Sequence, residues 1–324
     1  MKSEFNYFQF KAFDDAQIQS LVSKREGETK LGEQISPYGA ESTCKYVVLG
    51  ISEDIGPQGN MGLPGSKNAF NSFLSRFLNV QSNRFLNGDQ ICLLGEISQV
   101  ESFKTIEEAR IRIEVLDEFV QSIIEPIIAS GKIPIVIGGG HNNAFPLIKS
   151  TFAALQKKID VVNFDPHSDC RALEGRHSGN PFSYATEEGF INNYTVLGLH
   201  EQYNSESLLK YLDKNNYHYT FFEDYIDQSR DLKNDIDEIL LNRDSNTPLG
   251  IELDLDSISM MPTSAFTPSG FSLNEARFFV RRIAKDNNIT YIHIPEGAPQ
   301  TLHEEKIVGK AIAYLVIDFI KKMK

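Results

Sequence analysis

The stretch VVNFDPHSDCR, residues 161–171, decides how the rest of the chain is read. It opens on an apolar, β-branched run of the kind that forms a buried strand. Asp165, His167 and Asp169 then follow at alternate positions. Alternate residues of an extended chain point to one side, so these three side chains can converge on one locus. Two carboxylates and an imidazole are a harder donor set than thiolates and suit Mn²⁺, Fe²⁺, Co²⁺ or Zn²⁺. The structural alternative is a polar loop after a strand, with Asp165 capping a helix. Short motifs recur by chance, so this segment alone leaves both open.

Two further clusters stand at strand ends. GIELDLDSIS (residues 250–259) puts Asp254 and Asp256 at i and i+2 beyond an apolar strand, with Glu252 on the same side. Carboxylates entering a buried strand are costly unless paired or bound to a cation. IPIVIGGGHNN (residues 133–143) ends a strand in three glycines and His141. The glycines permit a sharp turn and close backbone approach, and the segment lacks the GK[ST] or GxGxxG of a phosphate loop. His141 alone reads as a structural histidine. Together, four carboxylates and two imidazoles exceed what one ion needs and suggest two metals sharing bridging carboxylates. Such a pair lowers the pKa of a water between the ions and clamps developing charge, which is a hydrolase arrangement.

Outward from these clusters, strand candidates are Lys45–Ile51, Gln90–Leu94, Ile133–Ile137, Val161–Phe164, Tyr194–Leu199, Tyr217–Phe222, Leu249–Leu255 and Thr290–Ile294. Helical periodicity marks Ser66–Phe77, Ile106–Ser130, Phe145–Gln156, Ser205–Asn215, Asp224–Asn242, Ser272–Asn287 and Glu304–Lys322. Ser272 followed by Glu275 is a capping-box signature. Strands alternating with helices predict an α/β fold with a mostly parallel sheet covered on both faces, whose sites lie at the carboxyl ends of strands. No linker divides the chain, so residues 1–324 read as one domain, with 1–40 as an irregular N-terminal excursion.

A hydrophobic share of 41% and a charged share of 23% fit a globular core. The net charge of −12 argues against nucleic acid or an anionic membrane as partner. Cys44, Cys92 and Cys170 are too few and scattered for a disulfide framework or a zinc-thiolate site. The N-terminal MKSEFNYFQF has an acid and an Asn where a signal peptide needs an apolar run, so none is expected there. No apolar stretch approaches the roughly 20 residues of a membrane span. The expectation is a soluble, cytoplasmic protein acting on a small molecule.

GGGH, DPHSD and ELDLD, in this order and spacing, resemble the GG-x-H, D-x-H-x-D and x-x-D-x-D motifs of the ureohydrolase family, which contains arginase, agmatinase and formimidoylglutamase. The resemblance runs from SEDIGPQGNMGLPG (residues 52–65) to HIPEGAP (residues 293–299). It implies a three-layer α/β/α fold with an eight-stranded parallel sheet and a centre of two Mn²⁺, although the donors also suit other first-row metals. One metal would take His141, Asp165, Asp169 and Asp254; the other His167, Asp165, Asp254 and Asp256. Asp169 would also accept a proton from the attacking water and pass it to the leaving amine or ammonia. Glu275 occupies the position of a family Glu that pairs with the substrate's guanidinium or amidinium. The fold is shared with metal-dependent deacetylases, which bind one zinc and lack the His of the GG-x-H turn.

RHSGNPFSYA (residues 176–185) resembles the family segment that contacts the substrate's amino-acid end, implying Ser178, Asn180, Arg176 and His177 as substrate-binding residues. Arg171 reads as solvated surface. Phe182 stands where arginase has a proton-shuttling His, and Tyr203 where it has an Asp. With GGGH and the S-G-N-P-F pattern, these departures point to formimidoylglutamase, which converts N-formimidoyl-L-glutamate to L-glutamate and formamide in histidine degradation. NMGLPG (residues 60–65) is similar to an N-G-G-R-x-G loop of those enzymes but carries Leu63 for the arginine and Met61 for the first glycine. Hydrolysis of another guanidino or formimino compound is the second reading, and a metal-stabilised, non-catalytic binding protein a third. Family members are commonly oligomeric, which leaves a homo-oligomer open.

Overall fold

The computed structural model describes residues 7–321. Its strands are β1 (Phe8–Ala12), β2 (Ser36–Pro37), β3 (Tyr46–Ser52), β4 (Ile91–Gln99), β5 (Ile133–Ile137), β6 (Ile159–Phe164), β7 (Ile191–Leu199), β8 (His218–Phe221), β9 (Leu249–Leu253) and β10 (Ile289–Ile294). The helices are α1 (Asp15–Ser20), α2 (Ile55–Gly59), α3 (Ala69–Phe77), α4 (Ile106–Ala129), α5 (Ala144–Leu155), α6 (Pro181–Glu187), α7 (Glu206–Lys214), α8 (Phe222–Ile226), α9 (Leu232–Asn242), α10 (Leu273–Ile283) and α11 (Leu302–Lys321). One sheet runs in the order β1-β4-β3-β5-β10-β9-β6-β7-β8, with β2 beside β4. From β4 to β8 every pairing is parallel.

These eight parallel strands are the eight expected from the sequence, and their composition explains the layering. β3, β6, β9 and β10 are buried at every position, as strands covered on both faces must be. On one face Phe70, Phe73 and Phe77 of α3, Phe279 and Val280 of α10, and Ile312 and Leu315 of α11 meet the strands. On the other, Ile113, Leu116 and Val120 of α4, Leu147 and Ile148 of α5, and Phe182 of α6 do so.

The differences have local causes. Residues 8–12, inside the expected irregular excursion, form β1 antiparallel to the far half of β4. That half alternates outward-facing and buried residues from Gly95 to Gln99 and so continues the strand beyond Leu94. Gly95 is required where β1 crosses: its φ is 154°, and a Cβ would run into the Lys11 carbonyl. The helix expected over 224–242 is two helices, because Gln228 turns at φ 56° and Asp231 starts α9 by accepting from the Asn234 N–H at 2.9 Å. Cys44, two residues before β3, and Cys92 on the neighbouring β4 are close in space rather than scattered and are joined as a disulfide with Cα atoms 5.9 Å apart. Among the described residues, no helix is long and apolar enough to cross a membrane.

The chain places β5, β10, β9 and β6 side by side in the middle of the sheet. The carboxyl ends of these four strands therefore open at one place.

Candidate metal centre

Two aspartates turn the chain as it leaves the sheet. Asp165 follows β6 and accepts from the His167 N–H at 2.7 Å; Asp254 follows β9 and accepts from the Asp256 N–H at 2.7 Å. Each is a side-chain-to-backbone turn two residues long. The ligand motifs thus bend rather than continuing as extended chain, and convergence comes from the turn instead of from strand alternation. Asp169 sits at φ 46°, which brings it back toward Asp165.

His141 enters from the end of β5. Gly138 and Gly139 take φ of 84° and 71°, and a Cβ on Gly139 would lie 2.8 Å from Glu53 Oε1. That oxygen accepts from the Gly140 N–H at 2.8 Å and from Asn143 at 2.7 Å, holding the turn. The outcome is a convergence of one imidazole on three carboxylates: His141 Nδ1 lies 3.1 Å from Asp165 Oδ2, 2.9 Å from Asp169 Oδ2 and 3.0 Å from Asp254 Oδ2. Beside it, His167 Nδ1 lies 3.5 Å from Asp165 Oδ1 and 3.9 Å from Asp256 Oδ2.

The electrostatics fit a cation. Burial, with the Asp256 and Asp165 charges next, pushes Asp254 well above the usual carboxylate range. Burial also raises Asp256, to about 6, although His167 opposes it. Burial would lower both imidazoles, but contact with Asp165 and its neighbours prevails, carrying His167 to about 9 and His141 well above its ordinary value. The two His141 ring nitrogens are buried without a well-formed hydrogen bond. Four convergent carboxylates and two imidazoles presenting nitrogens to them suit divalent ions of the first transition row. The donors His141, Asp165, Asp169 and Asp254 lie within 4.8 Å of one another.

Asp169 and Asp254 reach a cleft of about 230 Å³ whose lining also includes His167, Asp256, Arg171, Ser178, Tyr203 and Glu296, while His141 and Asp165 are fully buried. Tyr203 stacks on His167 with ring centroids 5.3 Å apart. Phe182 lies beneath the cleft, edge to face with His141 at 5.3 Å.

Four residues expected at the substrate are elsewhere. Glu275 is exposed and closes the capping box of α10, accepting from the Ser272 N–H at 2.7 Å. Its sequence position answered to two roles, and the helix end takes it. Arg176 is buried against Asp117 of α4, with Nε 2.9 Å from Oδ2, and also donates to the Asn142 carbonyl at 2.7 Å. Asn180 accepts from Arg176 and donates to the Ala172 and Gly175 carbonyls. His177 is turned to Glu174, with Nδ1 accepting from the Gly179 N–H at 3.1 Å. These three tie the loop to itself and to α4; Ser178 alone of the four loop residues lines the cleft.

Two lining residues escaped the sequence reading. Arg171 is exposed, as expected, but it also lines the cleft, where it is the one Lys or Arg among the described residues and no carboxylate pairs with it. Glu296, quoted in HIPEGAP without a role, is buried at φ 66° and accepts from the His141 N–H at 2.7 Å. Burial, then Asp256, raises it to about 8. Its sole sequence signal was an acid just beyond the strand that separates β5 from β9.

A central parallel sheet with paired Asp and His motifs at the ends of adjacent strands defines a class of α/β protein built around a carboxylate-rich metal site. The chain belongs to the arginase family, whose model matches residues 45–321. It is 24% identical over 321 residues to the formimidoylglutamase of Paraburkholderia xenovorans, covering 89% of this chain and 92% of that one. In fold it is similar to the formimidoylglutamase of Bacillus subtilis, with a TM-score of 0.79, 19% identity and coverage of 93% and 94% of the two chains. It is also similar to the Trypanosoma cruzi formiminoglutamase with Mn²⁺, with a TM-score of 0.72, 21% identity and coverage of 90% and 98%.

Proposed function

We propose that the chain is a dinuclear metal-dependent hydrolase of an amidine C=N bond, converting N-formimidoyl-L-glutamate and water to L-glutamate and formamide, a step of histidine degradation. The observation that carries this reading is the convergence of His141 Nδ1 on Asp165, Asp169 and Asp254, with Arg171 at the same cleft. Membership of the arginase family and the formimidoylglutamases among the similar proteins support it.

His141, Asp165, Asp169 and Asp254 would hold one Mn²⁺, and His167, Asp165, Asp254 and Asp256 the second. Such a pair, when bound, acidifies water and polarises the C=N group. Asp169, half-turned to the cleft, accepts the proton of the attacking water and returns it to the leaving nitrogen. Arg171 receives the carboxylate of the substrate in fork geometry. Glu296, rather than Glu275, is the acid that lines the cleft and meets the amidine. Ser178 adds a hydroxyl at the same wall.

One observation favours the second reading, a different guanidino or formimino substrate. Leu63 is 64% exposed and Met61 74% exposed in the loop that contributes Asn60 and Gly62 to the cleft, where the resembling loop carries arginine. Formimidoylglutamate, arginine, agmatine and guanidino acids, supplied with Mn²⁺, separate the readings by release of formamide, urea or ammonia. The expected result is formamide from formimidoylglutamate. For Arg171→Ala the KM should rise about 10- to 100-fold, the value of a charge-assisted contact. Turnover of none of these compounds by Mn²⁺-loaded protein would sink the enzyme reading and favour a binding protein. A cytoplasmic location belongs to the same proposal and is checked by fractionation; a reducing cytosol would keep Cys44 and Cys92 as thiols.

A further inference from the structure

Behind the metal ligands, away from the cleft, the sheet holds a polar group in its interior. Glu252 of β9 and His293 of β10 are paired in register, and both are fully buried. Strands covered on both faces ordinarily fill such positions with Val, Ile or Leu. Glu252 Oε2 lies 2.7 Å from His293 Nδ1, and Oε1 accepts from the Tyr291 hydroxyl at 2.8 Å. The Tyr291 ring reaches Glu252 by lying across Gly250, where a Cβ would come within 2.6 Å of its hydroxyl oxygen. Two strand residues and one glycine are thus committed to a single carboxylate.

The carboxylate faces a metal ligand. Oε2 of Glu252 lies 3.5 Å from His141 Nε2, while Nδ1 of the same ring looks into the Asp165, Asp169 and Asp254 cluster. No other acceptor of the described residues reaches Nε2. An imidazole that gives one nitrogen to a cation keeps its proton on the other, and a carboxylate behind that N–H fixes the tautomer and ring and strengthens the donor.

We infer that Glu252 is a positioning residue that holds the proton of His141 on Nε2, leaves Nδ1 open for a cation, and so sets the affinity of the first metal position. His293 and Tyr291 keep the carboxylate in place. The second position shares Asp165 and Asp254 with the first, but its own ligands, His167 and Asp256, make no contact with Glu252. The inference rests on the metal centre proposed above, and its test separates the two.

Metal-free wild type and Glu252→Gln are titrated with Mn²⁺ by calorimetry, with bound metal counted by mass spectrometry. Wild type is expected to bind two ions per chain; none bound would overturn the metal centre itself and this inference with it. In Glu252→Gln one of the two affinities should fall about 10- to 100-fold and the other stay within about twofold. Two unchanged affinities would overturn the positioning role. So would a lower melting temperature of the metal-free variant with unchanged affinities, the mark of a structural part alone. If Glu252→Gln does not fold, Tyr291→Phe decides. It loosens the same carboxylate and should weaken only that site, by about 3- to 10-fold on the same principle; no change there is equally fatal.

Discussion

Asp169 holds φ at 46°, a conformation that costs a non-glycine residue on the order of 1–3 kcal/mol. Its surroundings impose it: the carbonyl accepts from the Phe182 N–H at 3.4 Å and the carboxylate meets His141 at 2.9 Å. Strain is concentrated where three candidate ligands must converge within five residues of chain. His177, eight residues on, shows a different constraint. Burial, then the Arg110 charge, lowers its pKa to about 4. Its Nδ1 accepts from Gly179 and so must stay unprotonated. The unfolded chain therefore takes up a proton here before the folded one does, and stability contributed at neutral pH drains away between about pH 6.5 and pH 4. Urea unfolding at a series of pH values should show this slope in wild type and a flatter one in His177→Asn; identical slopes would contradict it. At this scale the DxHxD and DxD residues were legible because each motif carries its ligands within a few residues. The burial of Arg176 was not, because which of two arginines in one loop turns inward depends on Asp117, a helix residue far off in sequence, while Arg171 stays exposed as expected.

The start of α10 carries the clearest element-level prediction. Ser272 accepts from the Glu275 N–H at 3.2 Å, and Glu275 accepts from the Ser272 N–H in return. Glu275→Ala should lower stability by about 1 kcal/mol, the value of a cap, and leave kcat and KM unchanged. A large loss of kcat with intact stability would restore the substrate role that its position in the sequence suggested. Elements as such were readable: the apolar runs of β5, β6 and β9 and the 3–4 spacing of Ile113, Leu116, Phe119 and Ile123 along α4 predicted their type and place. What escaped is the part fixed by neighbours. β1 exists because the far half of β4 has an open edge. The break between α8 and α9 lies at Gln228 and Asp231, residues that a helical period tolerates on a solvent face.

For the whole molecule, the order of strands matters more than their number. β5 and β6 are consecutive in the chain, yet β10 and β9 are inserted between them. That insertion assembles His141, Glu296, Asp254 and Asp165 from four strand ends at the middle of the sheet. Spacing along the chain carries no trace of such an order, so the role of Glu296 became visible only in the folded molecule, whereas the family resemblance already implied the three layers. The same arrangement makes the centre a property of the entire sheet, with ions binding the folded chain and adding to its stability by mass action. At this centre two ions serve one hydrolytic step. The most direct test is an activity titration in which metal-free protein receives Mn²⁺ stepwise while formamide release from N-formimidoyl-L-glutamate is followed. The expected result is no release without metal and a plateau at two ions per chain. Full release by metal-free protein, or a plateau at one ion, would contradict it.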